Sequence, residues 1–228
     1  MTYTSDDRQY APATQRNRDA ILSVLLDVLP PTGTVLEISS GTGEHAIFFA
    51  PRLAPRQWLP SDPNPAAIAS IAAWQTDCPA ANLYPPVQLD VCDRPWPVEP
   101  PPLPNTLRGL NLKQQPIRAI ANINMIHIAP WAACLGLMAG AQRILPTGGI
   151  LYLYGPFKQN GTHTSDSNAE FDWSLQAQNP EWGVRNLEDV VDVAHRHSLS
   201  LVKTYTMPAN NVSVIFKRDP SRVNDELG

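Results

Sequence analysis

Thr34-Val35-Leu36-Glu37-Ile38-Ser39-Ser40-Gly41-Thr42-Gly43-Glu44-His45 is the stretch whose reading decides the fold. Thr34 to Ile38 is a short β-branched and apolar run, the composition of a strand buried in a parallel sheet. Small residues follow, and His45-Ala46-Ile47-Phe48-Phe49-Ala50 reads as the opening turns of a helix. Strand, glycine turn, helix presents backbone N–H groups and a helix N-terminus to a bound molecule. Gly41 and Gly43 are expected to let the main chain approach that molecule where a Cβ would collide.

Two cofactor classes use such a turn. Gly41-x-Gly43-x-x-Ala46 satisfies the dinucleotide pattern, with alanine at its third position. Glu37 favours the other class. A carboxylate at the end of the first strand, four residues before Gly41, resembles motif I of the class I S-adenosylmethionine-dependent methyltransferases. The resemblance implies that Ser39, Gly41 and Gly43 lie in a loop around the cofactor, while Glu37 helps fix the loop and the cofactor's amino-acid tail. Ser39 stands where motif I more often has glycine. In nicotinamide sites the strand usually runs apolar into the first glycine, because an acid there would face a pyrophosphate. A buried turn without a ligand leaves Glu37 unexplained.

Length and composition frame this reading. The 228 residues suffice for one domain with a full core, and 43% hydrophobic with 17% charged residues is globular composition. A net charge of −4 offers no basic footprint for a nucleic acid backbone. Three cysteines (Cys78, Cys92, Cys134) without metal-like spacing are expected to be reduced thiols. The first residues hold no apolar run of signal-peptide type, and no segment approaches a membrane span, so a cytoplasmic chain without membrane contact is expected.

Outward from the glycine turn, strands and helices alternate. Residues 1–14 are polar and predict a flexible arm. Ile21, Val24, Leu25, Val28 and Leu29 carry the spacing of a one-faced helix over Gln15 to Leu29. Gln57 to Asp62 is the second strand, and Asn64-Pro65 predicts a capped helix to Trp74. Val87 to Val91 is the third strand. Seven prolines between Arg94 and Pro116 exclude helix or central strand, so 94–116 is expected to be an extended surface connection. Ile117 to Ile126 is the fourth strand, followed by a helix from Pro130 to about Leu145. Gly148 to Gly155 is the fifth strand, and Lys158 to Arg185 is a polar stretch. Asn186 and Asp189 suggest a capping box for a helix to about His197. Leu199 to Met207 and Val212 to Arg218 close the sheet, with a short turn that lets the last strand insert antiparallel. Residues 15–218 therefore form a single α/β domain, a mostly parallel seven-stranded sheet with helices on both faces, and 219–228 is a tail. A nicotinamide-binding Rossmann sheet is normally all parallel.

Ligands of such sheets sit over the carboxyl ends of the strands. Asp62 lies about 20 residues beyond the glycine turn, the spacing of a ribose-binding acid, or else it is a helix-entry residue. Asp90 matches the methyltransferase position that contacts the adenine amino group, or it is a charged strand terminus in a turn. Trp58 fits the core better than a base stack.

The strings LEISSGTGEHAIFFA, WLPSDPNP, NINMIHIAPW, LYLYGPFKQNGTHTSDSNAEFD, NPEWGVR and MPANNVSVIFKR resemble the family called domain of unknown function 938, the methyltransferase-like protein 26 type. The likeness runs from Pro12 to Arg218 and is weakest at 94–116. It implies a methyltransferase-like fold and S-adenosylmethionine binding, and names no substrate.

Methyl transfer is an in-line displacement at a sulfonium carbon, and an oxygen or carbon acceptor must also lose a proton. Asn124 and His127 end the fourth strand, where the methyl group should project, and Asn124 also falls among the cofactor contacts. Tyr154 and Phe157 end the fifth. His127 is the candidate base, with a free-imidazole pKa near 6.5 and hence an acid limb near neutrality, or else a hydrogen-bonded structural histidine. Phe157, His163, Asp166, Phe171 and Trp173 are candidate contacts for a small, uncharged or cationic acceptor, or parts of a solvated loop. His127, His163 and an aspartate lack the spacing of metal ligands, so no metal is expected. Arg16, Asn17 and Arg18 form either a lid or a helix face. The leading reading is a methyltransferase acting on a small molecule. The alternatives are a nicotinamide-dependent oxidoreductase and a non-catalytic scaffold with this fold.

Overall fold

A computed structural model describes residues 7–99, 107 and 109–220. Residues 1–6 of the expected arm, the prolines of 100–104 and residues 221–228 of the expected tail lie outside the described residues, while Asp219 at the start of that tail is tied by its N–H to the Ser198 carbonyl at 2.9 Å. Seven strands form one sheet in the order β3-β2-β1-β4-β5-β7-β6. They are β1 (Thr34–Ile38), β2 (Gln57–Asp62), β3 (Val87–Gln88), β4 (Ile117–Ile123), β5 (Ile150–Gly155), β6 (Leu199–Met207) and β7 (Asn211–Arg218). β1 to β5 pair in parallel, and β7 inserts antiparallel between β5 and β6. The direction of strand order reverses between β1 and β4. That is the switch point at which open α/β sheets bind their ligands.

The helices are α1 (Pro12–Val28), α2 (Glu44–Arg52), α3 (Pro65–Asp77), α4 (Trp131–Ile144), α5 (Asp166–Gln178) and α6 (Leu187–Arg196). Side chains alternate across the sheet. Leu36, Ile38, Leu151 and Leu153 join the core under α4 and α6, whereas Val35, Tyr152 and Tyr154 join the core under α1 and α2. Asn64 caps α3 by accepting the Ala66 N–H at 2.9 Å, with Pro65 in the first turn, as the sequence predicts.

Six expectations change. The fourth strand ends at Ile123 and not Ile126, so Asn124 and His127 lie in the turn that follows it. The described part of the N-terminal arm is docked: Gln9 N–H donates to Ser70 Oγ at 2.7 Å, and α1 begins at Pro12. β3 pairs only at Val87 and Gln88, because the chain turns at Asp90, whose Oδ1 accepts the Cys92 N–H. The segment from Arg94 is more than a surface connection. Trp96 is 1% exposed and lies over Gly140 of α4, where a Cβ would fall 1.9 Å from its ring. The stretch 158–185 holds α5, capped by Ser165, whose hydroxyl accepts the Asn168 N–H. At α6 the capping box does not form; the Asn186 amide donates to the Asp189 carboxylate instead.

Candidate functional site

The turn after β1 is built by hydrogen bonds from the neighbouring strand. Asp62, at the end of β2 and 6% exposed, accepts the Gly41 N–H with Oδ2 and the Asn64 N–H with Oδ1, both at 2.9 Å. Ser61 Oγ donates to the Glu37 carbonyl at 2.7 Å, and Ser61 N–H donates to Ser40 Oγ at 3.2 Å. The two strand ends are thus one braced unit. Burial raises the Asp62 pKa against these two donated hydrogen bonds.

The two glycines do different jobs. Gly41 has φ +56°, and a Cβ built there meets no protein atom within 4 Å. That open, left-handed position leaves room for a ligand beside the backbone. Gly43 has φ +90°, and its Cβ would sit 2.9 Å from the Ile71 Cα, so its glycine serves the packing of α3. Ser39 also adopts a left-handed φ of +57°, where L side chains are strained.

Glu37 is 1% exposed, and its Oε2 accepts the Trp58 indole N–H at 2.9 Å. Its carboxyl reaches the core side of β1, and desolvation raises its pKa to about 7. Trp58 is fully buried and packs on Phe49, as core rather than base stack.

At the ends of β4 and β5, Asn122, Asn124, His127, Tyr154 and Gly155 come together. Asn122 Nδ2 donates to the Ile38 carbonyl at 3.1 Å, tying β4 to β1. Asn124 takes φ +63°, a conformation asparagine tolerates, and its N–H donates to the Tyr154 carbonyl. A Cβ on Gly155 would fall 3.1 Å from His127 Nδ1 and 3.8 Å from Asn124 Oδ1, so the absent side chain gives the imidazole its place. His127 is 5% exposed and meets Phe171 edge to face, with centroids 5.6 Å apart. Burial, then the Arg185 guanidinium, lowers its pKa to about 4. The imidazole is therefore neutral across the physiological range, and the near-neutral titration expected of it is corrected to the acid side.

The remaining expected residues divide. Phe171 borders His127, but Phe157 is 3% exposed and belongs to the core with Leu153. His163 Nε2 lies 3.1 Å from Asp172 Oδ2, which also pairs with Lys158 at 2.9 Å. The other Asp172 oxygen accepts the Val184 N–H at 2.7 Å, so Asp172 pins α5 to the 183–185 segment. Asp166 is exposed in the first turn of α5, and Trp173 is 75% exposed. Asp90 is exposed one strand beyond Asp62. The described residues hold no cluster of three or more His, Cys, Asp or Glu suited to a metal ion.

The N-terminal segment also reaches the site, more closely than its sequence indicated. Gln9 holds Ser70, whose hydroxyl donates to the Thr42 carbonyl at 2.7 Å. Ala11 N–H donates to the Glu44 carboxylate, which also takes the Thr42 hydroxyl. Asn17 Oδ1 lies 2.8 Å from His45 Nε2. Polar side chains at Thr14 and Asn17 on the buried face of α1 were the available signal.

A profile of the family described as "Protein of unknown function (DUF938)" matches residues 8–218. Solved structures of class I methyltransferases share the fold. Human N-acetylserotonin methyltransferase, in complex with SAM, aligns with a TM-score of 0.70 at 12% identity, over 91% of this chain and 53% of that one. An O-methyltransferase family protein from Burkholderia thailandensis gives 0.68 at 12% identity, over 92% and 57%. An O-methyltransferase family 2 protein from Planctomyces limnophilus DSM 3776, in complex with apigenin, gives 0.64 at 17% identity, over 88% and 61%. This chain spans little more than half the length of these structures, 53% to 61%.

Proposed function

The chain belongs to the DUF938 family and has a class I methyltransferase fold, and from that premise we propose that it is an S-adenosylmethionine-dependent methyltransferase of a small molecule. One observation carries the reading. At the switch between β1 and β4, Gly41 presents open space beside a backbone that Asp62 holds in place. The fit to an adenosyl cofactor is good. Asp62 has one donated hydrogen bond on each oxygen, leaving lone pairs for ribose hydroxyls, and Asp90 stands at the adjoining strand end. Glu37 and Ser39 shape the turn from behind. The fold's solved relatives include proteins named as O-methyltransferases, and one is in complex with SAM.

The cofactor supplies an electrophilic methyl group. Acceptor chemistry falls to His127 and Asn124, while Tyr154, expected to join them, has its side chain in the core under α1 and α2. The neutral His127 imidazole would take the proton of an acceptor hydroxyl, freeing its oxygen to receive a methyl group. Asn124, fixed by its backbone bond to β5, orients that hydroxyl. Phe171 forms the apolar wall beside His127, and the Asp172 node holds α5 over the site. The acidic balance of −4 favours a small uncharged or cationic acceptor over a nucleic acid.

The test is a thermal-shift panel of S-adenosylmethionine, S-adenosylhomocysteine, NAD and NADP. A ligand that binds only the folded chain raises its melting temperature by mass action. Both adenosyl compounds should stabilise it. Stabilisation by a nicotinamide alone would replace this reading with the oxidoreductase one.

A further inference from the structure

His127 sits in the turn between β4 and α4, outside both elements, so neither a strand ladder nor a helix fixes its backbone. The turn is held from a distant part of the chain. Arg185 Nη2 donates to the Ala129 carbonyl at 2.9 Å, and Arg185 Nε reaches the Ile126 carbonyl at a longer 3.4 Å. Between them, the Gly183 N–H donates to the His127 carbonyl at 2.9 Å. The carbonyl of His127 and carbonyls on both sides of it thus accept from one segment, 183–185. The Arg185 guanidinium also lies over the ring of Trp131, the first residue of α4, 5.7 Å from its centroid.

The segment is itself anchored. Arg185 Nη2 donates to the Glu181 carbonyl at 2.6 Å, the Lys158 N–H donates to the Arg185 carbonyl at 2.9 Å, and Asp172 holds the Val184 N–H. Gly183 has φ +148°, and a Cβ there would fall 2.7 Å from Asp172 Oδ1, so only glycine lets the segment lie against Asp172. We propose that Arg185 is a positioning residue for His127, its guanidinium fork gripping the 126–129 turn so that the imidazole rests against Gly155. The inference rests on the reading of His127 as the acceptor base and adds the group that places it. Arg185 also brings a charge. Burial lowers the His127 pKa most, and the guanidinium adds to that. Around it, the Cys134 thiol on α4 and the Tyr154 phenol on β5 keep their protons, because burial raises both pKa values. Asp172 on α5 is paired with Lys158 and His163.

The experiment reads the His127 ring by NMR in the full chain with labelled histidines, and His127→Ala identifies its signal. Two quantities are measured: the nuclear Overhauser contact between the ring Hε1 and the Gly155 Hα protons, and the pH midpoint of the ring. The wild type should show the contact, since a Cβ on Gly155 would stand 3.1 Å from His127 Cε1, and a midpoint of about 4. Arg185→Gln removes both fork and charge, so the contact should weaken severalfold and the midpoint should rise. Arg185→Lys keeps the charge on a single nitrogen, so its midpoint should stay near that of the wild type while its contact falls in between. Unchanged contact and midpoint in Arg185→Gln would show that the turn holds itself. Midpoints near the free-imidazole value of about 6.5 in both variants, with early melting, would make Arg185 a packing residue only. Either result overturns the inference and leaves the base reading standing. Full turnover of a phenol by His127→Ala would remove the base reading, and this inference with it.

Discussion

Asp62 Oδ2 accepts the Gly41 N–H at 2.9 Å, so the acid at the end of β2 holds the turn at the end of β1 in its open, left-handed form. The same carboxylate is placed to bind ribose hydroxyls and to shape the loop beside them. Asp62→Ala should therefore weaken S-adenosylhomocysteine by about 2–3 kcal/mol, the scale of hydrogen bonds to a charged acceptor. It should also lower the melting temperature, because two backbone N–H groups lose their partner. Asp62→Asn keeps an acceptor oxygen and should recover part of the stability. Calorimetry and melting on the two variants check this; unchanged affinity in both would make Asp62 a turn residue only.

Ser39 offers a test of backbone strain. Its φ of +57° is a conformation in which glycine has no penalty, and among the described residues no hydrogen bond of its side chain offsets the cost. Ser39→Gly should stabilise the chain by about 1 kcal/mol in urea unfolding. A destabilised variant would show that the hydroxyl or the stiffer backbone contributes more than the strain removes.

Glu37 and the two buried histidines pull the pH dependence of stability in opposite directions. Burial raises the Glu37 pKa from 4.5 to about 7, so its protonated form suits the fold. That contribution is full below pH 4.5 and is lost as pH rises through about 7. His45 and His127 are lowered from 6.5 to about 4, so their contribution is full above 6.5 and is lost as pH falls toward 4. Glu37→Gln removes only the first effect. Its stability relative to wild type should rise from pH 4.5 to pH 8, by on the order of 3 kcal/mol for the whole shift. A difference independent of pH would place Glu37 in the ordinary carboxylate range.

The parts of this architecture that were legible in the sequence are those with local chemistry. Thr34 to Ile38 with its glycine turn, Asn64-Pro65 as a helix start, and the short 208–210 connection each have one good local solution. What escaped depends on contacts far along the chain. α5 buries Asn168, Asp172 and Leu175, a mostly polar stripe, so no apolar period marks it. Trp96 finds its socket only because Gly140, on another element, has no side chain. Gly43 reads as a ligand glycine until Ile71 is seen against it. At the site, the strand-end acids and His127 were legible as residue types at strand ends. The burial that sets the proton affinities of Glu37, Asp62 and His127, and the reach of Asn17 from α1, were not.

The pH profile of turnover follows from the burial of His127. Its pKa of about 4 keeps the imidazole unprotonated above pH 5, so no acid limb due to this residue should fall near neutrality. The same burial makes it a weaker base, which suits an acceptor whose proton is already acidic, such as a phenol, more than an aliphatic alcohol. With a phenolic acceptor found by screening, His127→Ala should lower kcat by roughly 100-fold or more while cofactor affinity barely moves. The glycine turn and Asp62 lie on other strands, which is why binding should be spared. His127→Asn separates a base from an orienting group, since the amide can hydrogen-bond but cannot take the proton. Recovery of most activity in His127→Asn would make His127 an orienting residue. Gly155→Ala reports on the same imidazole from the other side, because the new methyl would stand 3.1 Å from its Nδ1 and press it out of place. That variant should lose turnover without losing S-adenosylhomocysteine; full activity would mean that the position of His127 does not matter to the reaction.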